Sequence, residues 1–428
     1  MKKLRFFHLI LLVAIICQCT ASSQKKNQAK SSSQSKANIN LDREWNNEYI
    51  DKHALSIPRA VETDLDSLAY QLTYPFVTER AKARAIFRWI SQNIRYDWYA
   101  LQSGAYLKNP MDASHVLETK LTVCEGYANL FNELASRSGL ESVKVIGHGK
   151  GFGYDPNKPL GSSNHAWNAV KIGGQWKLID VTWASGGDTI LQDQKQFNDF
   201  YFLTPPEYFI NDHFPANSKW QLLDKSISKS EFHRTVRKSS EYFKFGINNI
   251  NYNQYTIRGE AIISIFFDTI ENLEILAKLN ESDKYYFVSK IKNSYGIYVT
   301  SPGKGTYSLQ LYAKYANEKG TLPFLLEYKV IFSGGNPFNQ FVTVYSGNHT
   351  IHDPILKFLN ANQIYDFQFT VPGVNRIAFV DGNGKWTYYL NRGNNDFYIR
   401  NYFSKGKLTI NIDVGKDLWP TIAEYYMK

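Results

Sequence analysis

Apolar residues in the first half of the chain recur first at helical and then at strand spacing. The run ERAKARAIFRWISQNI keeps Ala85, Trp89 and Ile94 on one face of a predicted helix, and VETDLDSLAYQL shows the same spacing. Short apolar runs with strand character follow in ESVKVIG, NHAWNAVKI and QWKLIDVTW. Because the helices precede the strands instead of alternating with them, residues 41–225 are predicted to form an α+β domain with an antiparallel sheet.

The pattern changes after Ser240 to short segments that are rich in Tyr, Phe, Val and Ile and are interrupted by Gly, Pro, Asn and Asp. Examples are AIISIFFDT, TYSLQLYAKY and FLLEYKVIF, and the same texture resumes with FVTVYSG, YDFQFTV and KLTINIDV. Short strands with frequent turn residues are typical of β-sandwiches of about 100 residues. We therefore expect two all-β, immunoglobulin-like sandwich domains, at residues 235–335 and 336–428.

The first forty residues are predicted to be an export signal followed by a spacer, and they are not expected to fold. A basic start, an apolar run through LILLVAIICQC and the small residues at Cys19-Thr20-Ala21 have the order of a signal peptide over residues 1–21. The polar stretch at 22–40 contains no aromatic residue and is predicted to be a disordered spacer. The protein is accordingly expected to be exported, to the periplasm, the cell surface or the extracellular space.

A lipid anchor on Cys17 or Cys19 is a weaker alternative, because Ile16 and Gln18 stand where a lipidation site prefers small residues. The apolar run is also too short for a comfortable membrane span. No later segment approaches the roughly 18 apolar residues that a transmembrane helix requires. The sequence therefore predicts no transmembrane span.

The formal charge of +10 belongs mostly to the N-terminal region. Residues 1–41 hold seven lysines and arginines and no acid, so the remainder of the chain has a net charge of +3. A nucleic-acid site needs basic residues clustered on the folded part, so no nucleic-acid partner is expected. With 428 residues, 43% of them hydrophobic, the chain is long enough for two or three domains.

Cys124 is the single cysteine that remains if cleavage follows Ala21. In an exported protein an odd cysteine is a reactive thiol, an intermolecular link or a small buried apolar residue. Helical spacing from Tyr127 to a stop at Gly139 places the thiol at a predicted helix N-terminus. Unpaired backbone N–H groups and the helix dipole favour a thiolate there, and the same groups can stabilise an oxyanion. The position favours a catalytic thiol.

A hairpin downstream supplies an imidazole and a carboxylate. The segment NHAWNAV is followed by the turn Gly173-Gly174 and by a predicted return strand at residues 176–183. A two-residue turn places His165 and Asp180 as diagonal neighbours on one sheet face, where the carboxylate orients the imidazole that activates a cysteine. A three-residue bulged turn would shift this register. For His165 alone, a structural role is the alternative.

The order VCEGYA, NHAWNAV and IDVTW, with NIRYDWYA upstream, resembles the transglutaminase-like superfamily. The segment YFLTPPE and the later NDHFP are similar to the end of the catalytic module in the kyphoscoliosis peptidase branch, which also carries β-rich C-terminal domains. The resemblance implies an α+β, papain-like and transglutaminase-like core followed by the two sandwiches. It also implies that Cys124 is the nucleophile, His165 the general base and acid, and Asp180 the orienting carboxylate. Trp98 is the candidate for the second oxyanion donor, beside the backbone N–H of Cys124.

Other motifs are not assigned to catalysis or to ligand binding. The glycines at residues 147–153 are followed by YDPNKP instead of a helix, so a loop near the active cleft is expected and not a phosphate-binding loop. His349, His352 and Asp353 have loose spacing for a metal site and are interpreted as a surface loop. His213 is interpreted as structural. Neither a metal nor an organic cofactor is expected.

Two classes of function remain open. The first is an exported thiol enzyme that attacks an amide carbonyl of a protein or peptide substrate. Hydrolysis of a peptide or isopeptide bond is favoured, because no feature suggests a tunnel for a second-substrate amine, and acyl transfer to an amine is the alternative outcome. The second class is a non-catalytic scaffold of the cell envelope or surface, whose aromatic-rich β domains dock a partner. An intact Cys-His-Asp set favours the enzyme.

Overall fold

The computed structural model describes most of the chain and divides it into two compact units. The described residues are 44–61, 64–186, 197–335, 341–345, 347, 349–391 and 395–428. The expected signal peptide, the polar spacer and the anchor candidates Cys17 and Cys19 lie outside the described residues.

One unit comprises the residues up to Tyr154 together with Gly161–Ser226. The other comprises Asp155–Leu160 together with Ile227–Lys428. Within the described ranges, no helix combines the length and the apolarity that crossing a membrane requires.

Several helices of the first unit begin at caps that the local sequence encodes. Asp64 accepts a hydrogen bond from the backbone N–H of Ser67, and Thr78 accepts one from the N–H of Ala81, so each side chain satisfies a group that has no partner within its helix. These helices are α1 (Asn47–Leu55), α2 (Leu65–Thr73), α3 (Glu79–Asn93), α4 (Trp98–Ser103), α5 (Ala113–Thr119), α6 (Cys124–Arg137), α7 (Val181–Ala184) and α8 (Pro206–Phe209).

Two sheets accompany these helices. A short parallel pair, β1 (Arg95–Tyr96) and β2 (Leu121–Thr122), leads into α6. The larger sheet is antiparallel throughout, and its spatial order is β5–β4–β3–β6. Its strands are β3 (Ser142–Gly149), β4 (His165–Ile172), β5 (Gln175–Ile179) and β6 (His213–Pro215).

The predicted hairpin register is present in β4 and β5. Asn168 pairs with Ile179 across the two-residue turn, in which Gly173 and Gly174 have φ angles of 58° and 77°. Positive φ at both central residues is the requirement of a hairpin turn whose twist matches its strands, and glycine meets it without steric cost.

The return strand is shorter than predicted. The observed strand ends at Ile179, and the expectation that it continues to residue 183 is wrong. Helix α7 begins instead, because Oδ1 of Asp180 accepts the backbone N–H of Trp183 at 3.0 Å and caps the helix. The same residue therefore ends a strand and starts a helix, which period-two alternation along QWKLIDVTW does not reveal.

A single core joins the helices of the first unit to its larger sheet. Its largest fully buried side chains include Trp89 and Phe87 from α3, Tyr127 and Phe131 from α6, and Trp167 from β4. Each such side chain contributes about 1.5–3 kcal/mol by leaving water. The packing of α6 on β4 fixes the start of α6 relative to the start of β4.

The described residues of the second unit form four β-sheets around two separate cores. The first core is enclosed by the sheets β7–β13–β12–β9 and β10–β11–β8, and the second by β14–β22–β21–β18–β19, with β16 beside β22, and β15–β17–β20. The strands are β7 (Thr256–Gly259), β8 (Ile262–Asp268), β9 (Leu273–Leu279), β10 (Tyr286–Ile291), β11 (Ser294–Thr300), β12 (Gly305–Tyr315), β13 (Phe324–Phe332), β14 (Thr343–Val344), β15 (Thr350–Asp353), β16 (Phe358–Leu359), β17 (Tyr365–Thr370), β18 (Arg376–Val380), β19 (Trp386–Leu390), β20 (Asp396–Asn401), β21 (Gly406–Ile412) and β22 (Thr421–Met427). Two short helices, α9 (Lys229–Arg234) and α10 (Ser240–Lys244), precede them.

His352 lies at the contact between the two sandwiches. Its Nδ1 is 2.9 Å from Oγ of Ser289, and its Nε2 is 2.9 Å from Oγ1 of Thr370. Both ring nitrogens therefore have hydroxyl partners, so this histidine joins β10 to β15 and β17.

The predicted fold class, an α+β core followed by β-sandwich structure, is confirmed.

Gly147 of β3 is predicted to tolerate no side chain. A Cβ there would lie 2.6 Å from Cη2 of Trp167 and 2.8 Å from Cα of Pro215, and closer still to the carbonyl oxygen of Phe214. Because two of these neighbours are backbone atoms that cannot rotate away, Gly147→Ala is expected to destabilise the first unit by about 1–3 kcal/mol.

The measurement is urea unfolding followed by tryptophan fluorescence, since seven of the nine tryptophans lie in the first unit. Gly161→Ala is the matched control, because a Cβ at Gly161 meets nothing within 4 Å. It should change the free energy of unfolding by less than about 0.5 kcal/mol. Equal effects in the two variants would contradict the prediction.

Candidate active site

Cys124 is the first residue of α6, and its thiol is half-buried. No side chain caps this helix end, since Val123 occupies the cap position without a side-chain hydrogen bond. Gly126, two residues further, packs against Thr122, whose Cβ would lie 2.8 Å from a Cβ added at Gly126. The start of α6 is thus pressed onto β2, which fixes the position of the sulfur.

His165 is the first residue of β4, and its ring is placed between Asp180 and Cys124. Nε2 of His165 lies 2.6 Å from Oδ2 of Asp180, and both side chains are buried. The ring also makes a hydrogen bond with the side chain of Cys124. We assign this bond to Nδ1, because Nε2 faces Asp180. All three residues predicted from the sequence therefore meet at one point.

The imidazole of His165 is held in its charged form. Burial by itself lowers the pKa of His165, but the charge and the hydrogen bond of Asp180, followed by the contact with Cys124, raise the pKa to about 10. At neutral pH the sulfur of Cys124 therefore faces an imidazolium, which favours a thiolate.

Three donors from three different elements surround the carboxylate of Asp180. Oδ1 accepts the N–H of Trp183 at 3.0 Å, and Oδ2 lies 2.6 Å from His165 and 2.8 Å from Nε2 of His213. Burial by itself raises the pKa of Asp180, but the charges and hydrogen bonds of His165 and then of His213 hold it well below its usual range. The carboxylate is therefore ionised although it is fully buried.

His213 is the residue that the sequence interpretation did not connect with the site. Its Nδ1 lies 2.6 Å from Oδ1 of Asp212, and Oδ2 of Asp212 accepts the hydroxyl of Tyr201 at 3.1 Å. Its ring stacks on Phe209 at 4.1 Å between centroids. The signal was present in the acid–histidine pair of NDHFP, but only the pairing of β6 with β3, opposite Gly149, brings it to the triad.

Trp98, the candidate oxyanion donor, is the first residue of α4 and is buried. Its Nε1 has no hydrogen-bond partner among the described residues. The indole packs against Tyr96 at 4.9 Å and Phe152 at 4.8 Å between ring centroids. Tyr96 in turn interacts through its hydroxyl with the backbone N–H of Cys124. The structure therefore brings Trp98 to the neighbourhood of Cys124 with an unused N–H group.

His165, Asp180 and His213 also form a group with metal-ligand chemistry, since one ligand atom from each lies within 4.8 Å of the others. The distances do not fit a metal. Ligands at about 2.0–2.1 Å in a tetrahedral site are roughly 3.3 Å apart, whereas the two N···O distances are 2.6 and 2.8 Å. These are lengths of charge-assisted hydrogen bonds. Hydrogen bonds therefore hold the three side chains together.

Two family models match the chain. Residues 66–181 match the model of the transglutaminase-like superfamily, and residues 229–341 match a KY-like, immunoglobulin-like domain. The first match contains Cys124, His165 and Asp180, and ends before His213.

Similar proteins include two kyphoscoliosis peptidases. The human protein is 34% identical over 273 residues, which are 62% of this chain and 40% of the relative. The mouse protein is 30% identical over 385 residues, 83% of this chain and 57% of the relative. The chain thus spans about half the length of these relatives. A crystal structure of a TGase is 20% identical and covers 41% of each chain, with a TM-score of 0.23.

The stability of the first unit is predicted to depend on His165 above neutral pH. The pKa of His165 is about 10 in the folded protein and roughly 6.5 in an unfolded chain. The raised value means that its stabilisation is complete below about pH 6.5 and disappears as the pH rises towards 10, with a total loss of at most roughly 5 kcal/mol.

The measurement is the free energy of urea unfolding of the parent and of His165→Gln between pH 6 and 10. The difference between them should shrink across this window. Repeating both on a Cys124→Ala background removes the titration of the thiol. A difference that is constant with pH would show that the protonation of His165 is unrelated to folding.

Proposed function

Because residues 66–181 match the transglutaminase-like superfamily and the chain is similar to the kyphoscoliosis peptidases, we propose that it is a thiol enzyme that attacks an amide carbonyl through Cys124. The observation that carries the proposal is the contact of one imidazole, His165, with both Cys124 and the buried carboxylate of Asp180. The remaining part of the proposal, export from the cell, rests on the sequence pattern of residues 1–21.

The reaction follows from the protonation states at the site. The thiolate of Cys124 forms a bond to the carbonyl carbon, and the bond from that carbon to nitrogen breaks as the imidazolium of His165 gives its proton to the leaving amine. Water then attacks the thioester while the neutral imidazole takes the proton of the water. The carbon–sulfur bond breaks, a carboxylic acid leaves, and the pair is restored. Asp180 keeps the ring oriented and favours the imidazolium throughout.

The oxyanion of the tetrahedral intermediate needs donors beside the sulfur. The proposed donors are the backbone N–H of Cys124 and Nε1 of Trp98, which is buried and has no other partner within the described chain. The hydroxyl of Tyr96 lies at that same backbone N–H before substrate binds. The oxyanion is proposed to replace this hydroxyl as the acceptor at the Cys124 N–H.

The substrate is proposed to be a protein or peptide. A cavity of about 240 Å³ adjoins Val123, the residue before the nucleophile, and offers room for a side chain next to the scissile bond. Its lining is mixed, with Asp97, His115 and Thr122 beside apolar residues such as Tyr106. Hydrolysis is favoured over acyl transfer, and the name peptidase of the relatives supports this choice.

Hydrolysis is tested with peptide libraries that contain glutamine, lysine isopeptide and ordinary amide bonds, incubated with and without a primary amine. The expected result by mass spectrometry is a hydrolysed product that forms equally with and without the amine and disappears in Cys124→Ala. Amine incorporation that exceeds hydrolysis would replace the peptidase with a cross-linking enzyme. Products that persist in Cys124→Ala would contradict the nucleophile.

Trp98→Phe is expected to lower kcat by about 10²–10³ while KM changes little, because an oxyanion donor acts only in the transition state. Trp89→Phe is the matched control. Its Nε1 is also buried without a partner among the described residues, but Trp89 belongs to α3 and packs in the core. Steady-state kinetics of both variants are compared with unfolding by urea. A similar loss of activity in both would remove Trp98 from the reaction.

A scaffold role is the second candidate, and an exposed aromatic cluster of the second unit favours it. Trp386 and Tyr388 of β19 lie 5.7 and 5.4 Å from Trp419 between ring centroids, and 6.0 Å from each other. Arg376 lies 4.9 Å from the ring of Trp419. Exposed clusters of this kind mark interaction sites. A surface partner that binds Cys124→Ala as well as the parent, with no turnover by either, would establish this function instead.

A further inference from the structure

A second buried histidine stands behind the carboxylate of the proposed triad. His213 and Asp180 have no solvent exposure, and Asp212 is 2% exposed. The order of contacts runs without a gap from Cys124 through His165, Asp180 and His213 to Asp212, and the hydroxyl of Tyr201 closes it. The reaction described above uses only the first three members of this row.

The hydrogen bonds define the charge of the His213 ring. An ionised carboxylate can only accept hydrogen bonds, and each ring nitrogen of His213 faces one carboxylate oxygen, at 2.6 Å for Asp212 and 2.8 Å for Asp180. With both carboxylates ionised, each bond needs a proton on the nitrogen. A ring with protons on both nitrogens is an imidazolium. Its charge compensates two buried anions, which otherwise would cost several kcal/mol each to remove from water.

We propose that His213 is a positioning residue of the thiol site, held as a cation between Asp212 and Asp180, where it fixes the carboxylate of Asp180 against His165. The proposal rests on the proposed function, since it concerns how that site is held ready. Asp212 acts through His213 as the counter-charge that keeps the ring doubly protonated. Neither residue touches the substrate.

The cation has a second effect, on the basicity of His165. The rings of His165 and His213 lie 5.3 Å apart between centroids, so two positive charges share one carboxylate. The groups that face His165 are the thiol of Cys124, the carboxylate of Asp180 and the ring of His213. Those that face His213 are Asp180, Asp212 and, through Asp212, Tyr201. Like-charge repulsion makes the imidazolium of His165 easier to deprotonate than Asp180 alone would leave it.

A role in packing alone would also explain a buried histidine, since Phe209 stacks on its ring. Packing does not explain why both nitrogens face carboxylates at charge-assisted distances. It also predicts no change in the titration of His165 when the ring is replaced by a neutral group that still folds. This difference separates the two explanations.

The first experiment is the rate of Cys124 alkylation by iodoacetamide from pH 4 to 11, in the full-length parent and in His213→Gln. The parent profile should show a step at low pH, where the thiolate–imidazolium pair forms, and a second step where His165 loses its proton. In His213→Gln the second step should move up by roughly one pH unit, because a neighbouring cation is gone. Asp212→Asn, which keeps an acceptor for Nδ1, should show a smaller displacement.

His148→Gln is the matched control, because His148 is a buried histidine of β3 that pairs with Phe214, the neighbour of His213 on β6. Its profile should coincide with that of the parent. Near-UV circular dichroism shows that each variant is folded. An unshifted second step in folded His213→Gln overturns the proposal. A parent profile with one step near pH 8.5, the value of an ordinary thiol, contradicts the proposed function instead.

The second experiment needs no variant and decides the charge directly. Nitrogen-15 NMR of the parent, labelled at histidine, should show both ring nitrogens of His213 protonated at pH 8. A neutral ring at pH 8 overturns the proposal even if the enzyme is active. Stoichiometric zinc in the purified protein, measured by mass spectrometry with and without a chelator, also overturns it, since a metal would then replace the protons.

Discussion

The buried carboxylate of Asp180 is the group on which both the local fold and the chemistry of the site depend. An ionised carboxylate away from water is stable only when donors surround it, and here they come from α7, β4 and β6. Each donor is useful to its own element. The N–H of Trp183 starts a helix, the ring of His165 faces the sulfur, and the ring of His213 joins β6 to the centre of the unit. Removing one donor leaves the others around an under-compensated charge.

The sheet order brings these donors together. Strands β4 and β5 form a hairpin, but β6 reaches its place beside β3 from the far end of the unit. Two glycines of β3 make this approach close. Gly147 admits the indole of Trp167 next to β6, and Gly149 pairs with His213 while its own α-carbon lies against His165, which a Cβ would approach to 3.1 Å. A bulkier strand would hold the two histidines apart. The arrangement of the site therefore depends on the absence of side chains at Gly147 and Gly149, as well as on the side chains that meet there.

Local sequence signals predicted much of this structure. Contacts that depend on the pairing of distant strands could not be predicted in this way. Helices α2, α3 and α6 follow from apolar spacing, and the two-glycine turn sets the register that brings His165 to Asp180. The short helix α7 was missed because one capping hydrogen bond decides it against an alternating strand pattern. The contact of His213 with Asp180 was missed because it joins residues 33 positions apart through a three-residue strand. The N–H of Trp98, which has no partner among the described residues, can be recognised only when the surrounding atoms are known.

The cap at α7 has an evolutionary consequence. Asp180 would still be needed to start that helix and to hold two histidine rings by hydrogen bonds in a relative without the proposed catalytic role. Selection for a folded chain is therefore sufficient to preserve the acid and both imidazoles in a descendant that has become a pseudoenzyme. The thiol of Cys124, in contrast, is half-buried and takes part in no cap of α7. Among homologues of this protein, the residue at the start of α6 is therefore expected to distinguish those with the proposed thiol chemistry from those without it.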